Sequence, residues 1–276
     1  MSGKVMTAKD ALYEPPGPRT KKKILIGTVL SLLSFAFLLA LMIRRFYLTG
    51  QLDPKYWFFF GRLSTWRFIA KGLIGTVEAA FAAGAMAFAA GFAMMLGRIG
   101  KSRFLRFAAT VLVDFTRGVP TLLFIYFFFL VVPQFGWKLS AFWKITLPVA
   151  ISASGLVAEQ LRSGVNAVPK GQREAALSIG MTDRQTFYRV IFPQAIRYVI
   201  PSLIAEMVIV FKDTTFAYVV NFPDLMQNAK VLISNYDALL SIYLVVAVIY
   251  ILINYSLNRL STKAEKLLSG KQKQGS

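Results

Sequence analysis

A chain of 276 residues with 56% hydrophobic residues, 24 Phe and only 16% charged residues has a mean hydropathy of +0.55, the composition of a protein whose solvent is lipid. It contains no Cys and no His, which excludes disulfides, thiolate or imidazole metal sites, haem attachment and Ser-His or Cys-His nucleophilic catalysis. Lys and Arg outnumber Asp and Glu by 32 to 13, but they fall in blocks between apolar runs, so the bias reports membrane orientation rather than nucleic-acid binding.

Residues 1–23, where Pro15, Pro16 and Pro18 precede Lys21, Lys22 and Lys23, read as a disordered basic cytoplasmic tail. Ile24 to Ile43 is uncharged and has the roughly 20 residues that cross a hydrocarbon core. No small-residue cleavage site follows it, so it is expected to be a retained anchor. Residues 44–67 then form an extracytoplasmic segment. Gly72 to Leu96 is interrupted only at Glu78, and it sets Ala83, Ala87 and Gly91 on one helical face, the spacing for close packing against another span of the same subunit. Gly97 to Ser102 imitates a phosphate-binding loop, but residue 95 is Met where Gly is required; it is a basic cytoplasmic turn. Phe107 to Pro133 is interrupted at Asp114 and Arg117, and Gly118 and Pro120 mark a kink. Ile145 to Ala158, Ala195 to Phe211 (which carries Arg197, Pro201 and Glu206) and Ala238 to Leu257 bring the spans to about six. The stretch from Gly270 to Ser276 reads as a second disordered tail, within a cytoplasmic tail 261–276, and no internal repeat is visible.

Six spans put both termini on one side. With the termini inside, the cytoplasmic segments hold 21 Lys and Arg and the outer segments nine, as the positive-inside rule requires. The chain is therefore expected to be an all-α membrane protein, N-in and C-in. Arg44 and Arg45 are discordant and are expected to snorkel to headgroups.

The most informative segment is polar and cytoplasmic, 165–194, VNAVPKGQREAALSIGMTDRQTFYRVIFPQ. Thr182 or Asp183 after Gly180 can cap a new helix, so the segment reads as a short helix, a Gly break and a second short helix before Pro193. Glu174-Ala175-Ala176, three residues, Gly180, nine residues and Val190-Ile191-Phe192-Pro193 resemble the loop motif of binding-protein-dependent ABC permeases, E-A-A, three, G, nine, I-x-L-P. The resemblance implies the type I importer permease fold and a loop that seats in a separate ATPase subunit. Glu174, Ala175, Ala176, Gly180 and Pro193 are then the coupling residues. It further implies a second permease subunit, the same or paralogous, and an extracytoplasmic solute-binding protein. ATP and magnesium would lie on the ATPase, with no cofactor on this chain, in a bacterial cytoplasmic (inner) membrane.

Three further stretches resemble the polar amino acid branch of those permeases: Arg117 to Thr121, Ala158 to Val165 leading into Lys170-Gly171-Gln172, and Phe211 to Phe216. Together they extend the resemblance over roughly residues 68–260, leaving the first helix as an extra element. Candidate substrate-pathway residues are Arg117, Glu159, Lys212, Asp213, Thr214 and Thr215. Charges inside a bilayer cost several kcal/mol unless paired or hydrated, so the sequence also allows a plain reading in which Lys212 offsets Asp213 and Glu159 reaches Arg162 at i+3. Leu12 to Arg19 and Lys212 to Tyr218 resemble glutamate-type permeases, which implies an acidic amino acid substrate. An ion-coupled secondary amino acid transporter and a membrane-embedded enzyme are the alternatives; for the latter, no two acids are spaced to suggest a site.

Overall fold

The computed structural model describes residues 17–272, with side chains described through residue 263. The tail residues 1–16 and 273–276, including most of Leu12 to Arg19, lie outside them. Every regular element among the described residues is helical. The chain divides into two compact units, residues 1–57 and 58–276.

The first unit contains α1 (Pro18–Leu48), 31 residues with Pro at its first turn and no buried side chain. The helix begins at Pro18, inside the stretch expected to be a disordered tail, because proline's missing donor is free of cost at a helix start. Thr49 ends it, donating its backbone N–H at 3.0 Å and its hydroxyl at 2.9 Å to Arg45 O.

In the second unit, α2 (Leu63–Ile99) leads to α3 (Arg103–Gly118) and α4 (Thr121–Tyr126), which continues through a wide turn to Phe135. Then come α5 (Ala141–Ala167), α6 (Lys170–Ser178), α7 (Asp183–Thr186), α8 (Phe192–Asp213), α9 (Leu225–Tyr236) and α10 (Leu239–Gln272). Among the described residues, five helical segments are long and apolar enough to cross a membrane, or six if the bent pair α3 and α4 is one span. That pair corrects the expectation of one kinked span over Phe107 to Pro133: the two helices meet at 96°. Pro120 cannot donate and forces the residue before it out of the helical region; Val119 is extended at φ −92°, ψ 124°. Helix α10 reaches Gln272, past the start of the tail expected at Gly270.

Helix α5 is central, packed against α2, α3, α4 and α8. Ala83, Ala87 and Gly91 are buried, and a Cβ on Gly91 would stand 2.8 Å from Ser154 O of α5. The small-residue face therefore packs within the subunit. Gly164 of α5 does the same toward α8, where an added Cβ would stand 2.8 Å from Ala195 O. Such contacts replace the hydrophobic drive that lipid does not supply.

Helix α9 lies between the expected spans Ala195 to Phe211 and Ala238 to Leu257, where the sequence reading placed no helix. Asn221 and Asp237, at φ 54° and 50°, turn the corners around it. Asp224 caps it, accepting from Gln227 N at 2.7 Å, while Thr76 of α2 accepts from Leu225 N at 3.0 Å and Asn228 donates to Phe68 O at 2.7 Å. Asp224 is fully buried, and burial pushes its carboxyl up to about 7. A raised carboxyl makes the folded state hold a proton that the unfolded state has released, so its contribution is present below about pH 4 and is lost as pH rises toward 7. The thermal midpoint of the purified protein is expected to fall between pH 5 and pH 8, and Asp224→Asn, which keeps the cap acceptor, should flatten that slope. The effect is on the order of a few kcal/mol; equal slopes in the two proteins would contradict it.

Candidate functional site

The loop 165–194 is built by local rules. After α5, Val168 is extended and Pro169 opens α6, on which Glu174 and Ala175 are exposed and Ala176 is buried. Gly180 ends it in the left-handed region, φ 84°, with open space around its Cβ position, so backbone conformation alone selects glycine there. Met181 N donates to Ala176 O at 3.2 Å across that turn. Of the two possible caps, the structure uses Thr182: its Oγ1 accepts from Gln185 N at 3.3 Å, and its own N–H donates to Gln185 Oε1 at 2.9 Å, a reciprocal capping box.

Asp183 is thereby free to bind Lys101 Nζ of the α2–α3 turn at 2.8 Å and Arg173 of α6 at 3.0 Å. The lysine, then the arginine, hold its carboxyl below the usual carboxylate range. Gln194 of α8 donates to Gln172 of α6 at 3.1 Å, so both halves of the loop are tied. Leu177 and Ile179 nevertheless stay exposed, Ile179 at 79%, leaving apolar surface on an otherwise polar element.

The second loop helix does not stop before Pro193, as the sequence reading expected. A wide turn over Phe187–Ile191 carries α7 into α8, with Phe192 N–H donating to Phe187 O. Pro193 sits in the first turn of α8, where its missing N–H costs nothing.

At the inner ends of the spans, Glu159 of α5 is ion-paired with both Arg98 of α2 and Arg162; the i+3 pairing read from sequence is present. Asp213 is not paired with Lys212. It accepts instead from Thr121 Oγ1 at 2.8 Å, and that hydroxyl also lies 2.8 Å from Ser152 Oγ. Seven residues earlier on α8, Glu206 accepts from Gln160 Nε2 at 3.2 Å and is buried with its other oxygen unpartnered. Thr214 is buried with its hydroxyl on Phe211 O at 2.8 Å, Thr215 is half-buried, and Lys212 and Arg117 are exposed. The structure thus unites Thr121, Ser152 and Asp213 and leaves Arg117 and Glu159 outside that cluster. Ser152, Gln160 and Glu206 were missed as site residues. The spacing of Glu206 and Asp213, two turns apart on one helical face, is the signal that points to them.

Residues 89–269 match the family described as binding-protein-dependent transport system inner membrane component. The chain belongs to that family. The glutamate transport system permease protein GluD of Corynebacterium glutamicum is 34% identical over 79% of this chain and 82% of its own length. The probable glutamine ABC transporter permease protein GlnP of Bacillus subtilis is 31% identical over 72% of this chain and 92% of its own. A crystal structure of an amino acid ABC transporter with histidines superposes with a TM-score of 0.70 at 29% identity, covering 75% of this chain and 97% of that one. The inward-facing MetNI methionine ABC transporter, at TM-score 0.59 and 15% identity, shares the fold. Binding-protein-dependent permeases are multi-pass transporter components, not enzymes, and work with ABC partners.

In this permease Asp183 joins three elements through exposed, solvent-screened pairs. Asp183→Asn should leave the fold intact and raise amide exchange in α6 and at the α2–α3 turn a few-fold; unchanged exchange at both places would mean that the pairs order nothing.

Proposed function

We propose that this permease subunit imports polar amino acids, acidic ones by preference, on the energy of ATP hydrolysed by a separate subunit that seats on 165–194. The observation that carries the reading is the shape of that loop: exposed Glu174, Leu177 and Ile179 stand on a helix closed by left-handed Gly180, beside a second helix continuous with α8. A compact, braced element with exposed apolar side chains is suited to insertion into a cleft of a partner. Glu174 and Ala175 lie on its contact face, Ala176 packs beneath that face, Gly180 makes its turn, and Pro193 marks where it joins the membrane helix. Magnesium and ATP belong to the ATPase, a solute-binding protein delivers the substrate outside the bacterial inner membrane, and a second permease completes the pore.

The substrate reading rests on Asp213, whose carboxylate stands among the Thr121 and Ser152 hydroxyls and is suited to an α-ammonium group. Lys212, exposed one residue earlier, is the cation for a carboxylate, with Thr214 and Thr215 shaping the wall beside it. The preference for acidic amino acids is supported by the likeness to the glutamate permease.

Uptake in vesicles reconstituted with the ATPase and binding protein tests both levels. Glu174→Lys and Gly180→Leu should each abolish ATP-driven uptake while the protein still inserts, the second because a branched side chain at positive φ costs about 1–2 kcal/mol and redirects the loop. Wild-type uptake by both variants, or uptake driven by an ion gradient without the ATPase, would end the coupling reading. Asp213→Asn should lower uptake about tenfold or more, as expected when a charge-assisted contact is lost. Glutamate should compete better than glutamine; the reverse order would remove the acidic preference.

A further inference from the structure

Between α2, α8 and α10 the structure leaves a groove of about 610 Å³. Leu73, Val77 and Phe81 of α2, Met207 of α8, and Ile253 and Leu257 of α10 line it, and no lining residue carries a polar side chain. A cavity walled in this way does not order water and takes up apolar guests. Left empty, it forfeits dispersion contacts along all three helices.

Depth and charge say which guest. Trp66, Leu73, Val77 and Gly84 stand at i, i+7, i+11 and i+18, one line along α2. Trp66 tops that line, exposed, with its indole N–H donating to Phe60 O at 2.7 Å. An amphipathic ring of this kind belongs at the level of the headgroups. Leu73 lies roughly 10 Å deeper, and the groove continues to Ala85, roughly 18 Å further at 1.5 Å per residue. One leaflet of a hydrocarbon core roughly 30 Å thick is about 15 Å, so the groove has the depth and the length of one lipid tail. At its upper end Arg67, beside Trp66, is exposed, and the ion pairs among the described residues leave it out. A guanidinium at headgroup level is the natural partner of a phosphate, which it can hold through two parallel hydrogen bonds.

We propose that the groove binds one acyl chain of a phospholipid whose phosphate lies at Arg67. The proposal needs only that the chain spans a membrane and is independent of the substrate reading. The floor is shaped for a slender guest: a Cβ on Gly84 would collide with Met207 Sδ, so the flexible thioether lies directly on the backbone of α2 and leaves the space above it to the tail. Helix α8 meets the groove through Met207 and Phe211, while Glu206 and Asp213, about a third of a turn away at 100° per residue, bond to Gln160 of α5 and Thr121 of α4. A bound tail thus packs the side of α8 that no other helix covers.

The full-length protein, purified in detergent together with its ATPase, is mixed with dioleoyl phosphatidylglycerol and weighed intact by native mass spectrometry. Wild type should retain one phospholipid per copy. Ala85→Trp, which fills the groove from its exposed edge, should retain about tenfold less, as a steric block does. Arg67→Ala, at an exposed position where the fold is not at risk, should also retain about tenfold less, the cost of a lost charge-assisted contact. Leu244→Trp, half a turn round α10 from Ile253, should match wild type. Equal retention by wild type and Ala85→Trp, retention independent of Arg67, or an equal loss in Leu244→Trp would each overturn the proposal. So would a wild-type complex that takes up no phospholipid, the result expected if a protein helix covers the groove.

Discussion

The missing N–H of Pro193 is the constraint on which the architecture turns. A proline inside a helix breaks the ladder unless its position makes the donor unnecessary. Here the wide turn over Phe187–Ile191 brings Phe192 N–H to Phe187 O and leaves Pro193 in a first turn. The chain from Asp183 to Asp213 can then run as one helical rod, roughly 45 Å at 1.5 Å per residue, with Pro201 inside α8 a further place where the ladder lacks a donor. One end carries the capped loop and the other carries Asp213. Bonded helix, rather than loosely packed side chains, joins the two.

A rod transmits force only if its neighbours do not yield, and close packing around α5 supplies that. Gly91, Gly155 and Gly164 bring α2, α3 and α8 into backbone contact with it. At those places a single methyl group has no room, and packed interiors of this kind shift between discrete arrangements instead of deforming. The ion pair of Glu159 with Arg98 also ties α2 to α5, while Arg162 pairs with Glu159 within α5 itself. Movement of α8 must therefore carry α5, and with it Ser152, against Thr121 on α4. The hydroxyl and carboxylate cluster sits where those elements meet.

Much of this was legible because it follows from local chemistry. The spans came from hydropathy, the loop from the fixed gaps between Glu174, Gly180 and Pro193, and the small-residue contact from the spacing of Ala83, Ala87 and Gly91. What was not legible depends on tertiary pairing. The sequence offered Lys212 as the neighbour of Asp213, but successive helical residues point apart, and the actual partner, Thr121, is 92 positions away. Helix α9 was hidden because its polar knot uses Thr76 and the carbonyl of Phe68, both on α2. The right angle between α3 and α4 was visible only as a kink, since Gly118 and Pro120 locate a break without fixing its size.

The sign of the charges along α8 bears on what can pass. Glu206 and Asp213 face the same side, and among the described residues no Lys or Arg bonds to either. Such carboxylates are tolerable only if protonated, hydrated or matched by a passing cation. Every amino acid brings an ammonium group, so a carboxylate at Asp213 serves acidic, neutral and basic substrates alike and cannot by itself discriminate. Under the proposed function, selectivity for an acidic side chain needs a cation as well, and Lys212 is the basic residue that α8 itself offers beside Asp213. The mutual neutralisation that the sequence allowed is not formed: Asp213 accepts from Thr121, and Lys212, on another face, is exposed; under the proposed function the two divide the labour, one for an ammonium group and one for a carboxylate.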